Sequence, residues 1–134
     1  FACGNVLHVH DLVDYVSEEA AMAGKNAALY VKERYGKDVE KSAEVINIKA
    51  VDGARYTVPS TIHLDSMADM LTVRFRVGDV FKDSYISVYF NDQRVQHRKK
   101  QVMAPGEMEQ IILKKKALEE FEGLETITVK IEKE

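Results

Sequence analysis

Residues 71–77 read Leu-Thr-Val-Arg-Phe-Arg-Val. Leu71, Val73, Phe75 and Val77 alternate with Thr72, Arg74 and Arg76, and period two puts the two sets on opposite faces of a strand. The same alternation sets Ile86, Val88 and Phe90 against Tyr85, Ser87 and Tyr89. It recurs as Ile127, Val129 and Ile131 against Thr128, Lys130 and Glu132, and Val45, Ile46 and Ile48 open a further strand. Turn signals separate these runs: Asp52-Gly53, Gly78-Asp79, Asn91-Asp92, Pro105-Gly106 and Gly123. Strands with one apolar face at this spacing predict a mainly antiparallel β-sandwich of roughly six or seven strands across residues 44–134. Residues 115–121 predict one short helical turn.

Towards the start of the chain the period changes. A helix is expected over about residues 15–35. Asp14 is its N-cap, Glu18 and Glu19 lie in the first turns where the helix dipole favours acids, Arg34 lies in the last turn, and Gly36 is the C-cap. Its core stripe is Val16, Ala20, Ala23, Gly24, Ala27, Ala28 and Val31. Side chains this small allow very close approach to a neighbour, as when a helix lies on a parallel sheet. Phe1, Ala2 and Cys3 read as the end of a buried strand closed by Gly4-Asn5, and residues 6–13 as a connection. The polar residues 37–43 form a linker, which makes 1–36 and 44–134 separate parts. The first residues are already strand-like and no methionine precedes them, so the segment is expected to be a piece of something longer.

Composition narrows the function classes. Of the 134 residues 46% are apolar and the formal net charge is −3, which suits a folded chain with a real core and argues against a dedicated nucleic-acid binder. The single cysteine, Cys3, cannot form an internal disulfide; a buried thiol in a reducing, cytoplasmic compartment is expected. No apolar run approaches 18 residues, so no membrane span is expected. Charge is uneven: residues 93–116 hold seven basic and two acidic side chains, and 117–134 hold two basic and six acidic. This fits two solvated faces, or a docking surface for an acidic partner.

Few residues suggest chemistry directly. His8, His10, Asp11 and Asp14 put four possible ligands within seven residues. The two histidines alternate as in a strand, and no helical His-x-x-x-His or cysteine pair supports them, so no metal is expected. No serine has a His-Asp partner at a recognisable spacing, and neither G-x-G-x-x-G nor a Walker motif occurs.

The segment Phe1-Ala2-Cys3-Gly4-Asn5-Val6, followed by a helix carrying Ala23-Gly24, resembles the second FAD motif of the pyridine nucleotide-disulfide oxidoreductases, the superfamily of thioredoxin reductase and glutathione reductase. The longer string CGNVLHVHDLVDYVSEEAAMAGKNAA looks like the branch associated with glycerol-3-phosphate dehydrogenase-like flavoproteins. The resemblance covers about a quarter of the chain. It implies an α+β fragment: a strand end and long helix from a Rossmann-like FAD domain, then the sandwich, for which an immunoglobulin-like arrangement is one option. It implies that Gly4 admits the flavin, that Asn5 stands where the family has an acid on a ribityl hydroxyl, and that Val16 and Ser17 hold the first-turn positions at the flavin ring. His8 or His10 would lie near the flavin or the substrate channel. The phosphate loop, the NAD(P)H domain and any redox cysteines would precede this segment, leaving it inactive alone. The β part would dock a partner or dimerise, and the orphaned helix face would pair with a second copy. The competing expectation is a free-standing β-sandwich interaction module with a helical arm.

Overall fold

Apolar alternation builds the larger unit of the chain. The computed structural model describes residues 1–34 and 45–134, and the chain divides into two units, Phe1–Ser42 and Ala43–Glu134. The second contains, in order, β1 (Val45–Val51), β2 (Ala54–Val58), β3 (Thr61–His63), β4 (Met70–Val77), β5 (Phe81–Phe90), β6 (Gln93–Met103), β7 (Glu109–Lys114), a short helix Lys115–Glu119, and β8 (Thr126–Glu132). One sheet has the order β3-β1-β8-β5-β6 and the other β2-β4-β7. Every pairing is antiparallel except β1 with β8, which run parallel. The large sheet is therefore mixed rather than wholly antiparallel.

The inward residues of both sheets form one core. Val73 and Phe75 from β4, Ile111 and Leu113 from β7, Ile86 and Val88 from β5, and Ile127 and Val129 from β8 belong to a single buried cluster. Those are the residues that alternation marked on β4, β5 and β8. The expected turns fall where their residues allow. Gly53 has φ +99, and a Cβ there would come within 2.6 Å of the Phe81 ring, so only glycine fits. Asn91 takes φ 49 between β5 and β6, a conformation asparagine tolerates better than most residues.

The first unit departs from expectation at its start. Phe1, Ala2 and Cys3 form no strand; a strand end needs a neighbour to receive its backbone bonds, and none of the described residues pairs with them. A 3₁₀ turn spans Gly4–Val6. The helix α1 runs from Val13 to Arg34, so it starts two residues early. Asp14 then lies in its first turn, where its charge suits the dipole, rather than at the cap. On its small-residue stripe, Val16, Ala23 and Ala27 are half-buried, and Ala20, Gly24, Ala28 and Val31 are exposed. The expected C-cap Gly36 and the linker 37–43 lie outside the described residues. No helix among the described residues is long and apolar enough to cross a membrane.

Candidate functional site: the Gly4–His10 loop on helix α1

The loop before α1 is shaped by one glycine and one carboxylate. Gly4 is buried with φ +72, and a Cβ built there would lie 3.6 Å from Val16 Cγ1. That is ordinary contact, so conformation rather than space selects glycine. The Gly4 amide donates to Glu19 Oε2 from α1, which pins the turn to the helix. Further along, Asn5 Oδ1 accepts from the His10 amide at 3.3 Å. Val9 is 63% exposed, while His8 and His10 on either side are buried. Both imidazoles are turned to the inner side of the loop, towards α1.

Both rings converge on Glu19. His10 Nε2 lies 3.0 Å from Glu19 Oε2, and His8 Nε2 lies 3.7 Å from Oε1. The ring centroids are 4.3 Å apart. The donor atoms of the three side chains all lie within 4.8 Å of one another. Burial pushes the Glu19 carboxyl up, but the hydrogen bonds from His10 and Gly4 and the charges of His10 and His8 outweigh it and hold the group below its usual range.

Of the residues singled out in the sequence, Gly4 and Val16 are brought near one another, a Cβ at Gly4 being the atom that would touch Val16. Asn5 shares their loop but is exposed, and its side-chain oxygen is already used by His10. Ser17 is exposed, and its hydroxyl donates to the Val13 carbonyl at 3.2 Å. Because α1 begins at Val13, Val16 and Ser17 fall past the open amides of the first turn. Asp11 and Asp14 are exposed and outside the histidine cluster. Glu19 escaped the sequence reading, which saw it only as an acid suiting the helix dipole. The alternation of the two histidines, without a helical His-x-x-x-His or a cysteine pair, points to no metal, whereas Glu19 adds a third donor across a helix–loop contact that no local spacing reveals. Cys3 is a half-buried free thiol.

A second polar cluster lies on the large sheet. Ser87 Oγ is 2.8 Å from His97 Nδ1 and Glu132 Oε2 is 3.9 Å from the same nitrogen. A nucleophilic relay needs the hydroxyl and the acid on opposite ring nitrogens. This arrangement, with Ser87 buried and the acid on the same ring nitrogen, is a polar network and not a triad.

No protein-family model, no curated protein and no solved structure matches the chain.

Proposed function

We propose that this chain is the carboxy-terminal part of an FAD-dependent NAD(P)H oxidoreductase of the thioredoxin reductase-like superfamily, working in a reducing compartment, with the β unit as a docking or dimerisation module. The observation that supports this most is the Gly4 turn. It is buried, left-handed and near Val16 at the start of a long helix. A glycine turn leading into a helix that carries Ala23-Gly24 is part of what the resemblance implies, while the strand end it also implies at Phe1–Cys3 is not formed. The exposed small residues Ala20, Gly24 and Ala28 are the surface a parallel sheet of a Rossmann-like domain would cover.

FAD, when bound, supplies the hydride chemistry. This chain's residues contribute positioning. Gly4 lets the backbone approach the ligand. The Asn5 amide group can donate as well as accept, and so meets a ribityl hydroxyl without charge. The open end of α1, now at Val13 and Asp14 ahead of Val16 and Ser17, brings partial positive charge towards the ring. The rival reading, a free-standing interaction module, draws on the basic edge strand β6 with Arg94, Arg98, Lys99 and Lys100; an acidic partner would suit it.

The intact protein should purify with the visible absorbance of oxidised flavin, and the 134-residue chain alone should be colourless. A colourless, flavin-free intact protein overturns the assignment. In the intact protein Asn5→Leu should weaken FAD retention by about 1–3 kcal/mol, the cost of an unpaired buried hydroxyl. Unchanged retention removes Asn5 from the site.

A further inference from the structure

We infer that His8, His10 and Glu19 form a binding site for a borderline divalent cation of the Zn²⁺ class, coordinated by the two imidazole Nε2 atoms and the Glu19 carboxylate. The inference does not depend on the flavin reading.

Geometry comes first. Ligands about 2.0–2.1 Å from a tetrahedral Zn²⁺ stand about 3.3 Å from one another. His10 Nε2 lies 3.0 Å from Glu19 Oε2 and His8 Nε2 lies 3.7 Å from Oε1, one on each carboxylate oxygen, and the donor atoms of all three side chains fall within 4.8 Å of one another, close to the spacing that such a site needs. A hydrogen bond accounts for the first approach. The second, at 3.7 Å, is beyond hydrogen-bond reach but within ion-pair distance. A cation between the three groups would contact all of them.

Burial points the same way. The side chains of His8 and His10 are 2% and 0% exposed, and that of Glu19 is 13% exposed. Two imidazoles and one carboxylate are thus gathered largely away from water, as the ligands of a buried cation site are. The partly open Glu19 side gives an ion a way in. The ligands are also held before any ion arrives: the Gly4 amide fixes Glu19 Oε2, and Asn5 fixes the backbone at His10. Such outer partners orient metal ligands and sharpen affinity. Two nitrogen donors and one oxygen favour Zn²⁺ and Co²⁺ over Mg²⁺ and Ca²⁺, which prefer all-oxygen shells. Three protein ligands leave a fourth position for water or another ligand.

The test uses the chain stripped of metal by chelator. Calorimetric titration should show one Zn²⁺ per chain, and Co²⁺ should give the visible spectrum of a four-coordinate site. Excess Mg²⁺ or Ca²⁺ should not compete. His8→Gln, His10→Gln and Glu19→Gln should each weaken Zn²⁺ binding at least about tenfold. The double variant His63→Gln, His97→Gln should bind as the parent does. Absent one-to-one binding, equal affinity in the three glutamine variants, or loss in the double variant overturns the site. Because Glu19→Gln also removes the anchor of the Gly4 turn, ring NMR resonances of the unmutated chain give a second readout. Those of His8 and His10 must move on Zn²⁺ addition; movement of His63 and His97 alone overturns the inference.

Discussion

Asn91 joins two segments of the β unit through one side chain. Its Oδ1 accepts from the amides of Glu125 and Thr126, both at 3.1 Å, and its Nδ2 donates to the Gly123 carbonyl at 2.9 Å. Its own amide donates to the Thr126 carbonyl at 2.8 Å. The β5–β6 turn is thereby tied to the entry of β8. Asn91→Ala would leave two amides and a carbonyl to find water and would put alanine at φ 49. The loss should be about 2–3 kcal/mol, read from the urea midpoint; a change below about 0.5 kcal/mol would show that the side chain is dispensable. Glu132 makes a pH-dependent case. The Lys130 ammonium at 2.9 Å and the Ser87 hydroxyl hold it down, burial opposes them, and the Tyr89 hydroxyl at 3.0 Å adds to the lowering, so the carboxyl sits at about 2. An unfolded glutamate titrates at about 4.3. The unfolded chain therefore binds the extra proton in the window between these values, and the contribution is complete above about 4.3 and lost as pH falls to about 2. Water reaches this group, so its worth is about 1 kcal/mol. Glu132→Gln should cost that much at pH 7 and almost nothing near pH 2; an equal cost at both would mean packing, not charge, is responsible.

Among elements, those with one wet and one dry face could be read from the sequence. β4, β5 and β8 put alternate apolar residues into the core, so their pattern and their environment agree. β6 could not be read. Of Gln93–Met103 only Met103 is buried, because an edge strand with little to cover needs no apolar stripe. β7 was hidden by Ile112, an exposed apolar residue between the buried Ile111 and Leu113. Near the start of the chain, helix signals located α1 and glycine located the loop. The partner of the two histidines was not legible, since Glu19 meets them only through folding. The small-residue face of α1 carries its own expectation. Burial of apolar area stabilises by about 25 cal/mol per Å², and on this face Val31 is 60% exposed and Ala20 and Ala28 are exposed, which leaves area to gain. Close approach of two such helices gives a two-fold dimer. Light scattering should find the chain dimeric and an Ala23→Glu, Ala27→Glu variant monomeric. A monomeric parent at high concentration, or a variant that associates equally, removes the helix as an interface.

For the β unit as a whole, the question is how a two-sheet structure ends. β6 closes one side of the large sheet and β7 one side of the small sheet, and unpaired edges invite further strands from other molecules. Here the edges answer each other through side chains. Gln96 Nε2 donates to the Ile112 carbonyl at 3.1 Å, and Arg98 Nη2 donates to the Gln110 carbonyl at 2.8 Å. Lys100 Nζ meets the buried Glu109 carboxylate at 3.1 Å. Gln110 and Ile112 are alternate residues of β7, so their carbonyls point to the same side, away from the partner strand β4. Two long side chains from β6 thus occupy the acceptors that an incoming strand would use. The positive charge of β6 adds repulsion between like edges. Gln96→Ala with Arg98→Ala would uncover both carbonyls and remove one charge while leaving every core residue in place. Stability should fall by about 1–2 kcal/mol, near the ordinary worth of two hydrogen bonds, and self-association should rise. Thioflavin fluorescence and light scattering on concentrated samples would register the second effect. An equivalent loss of stability with no gain in association would show that these bonds hold the sheets together without guarding the edge.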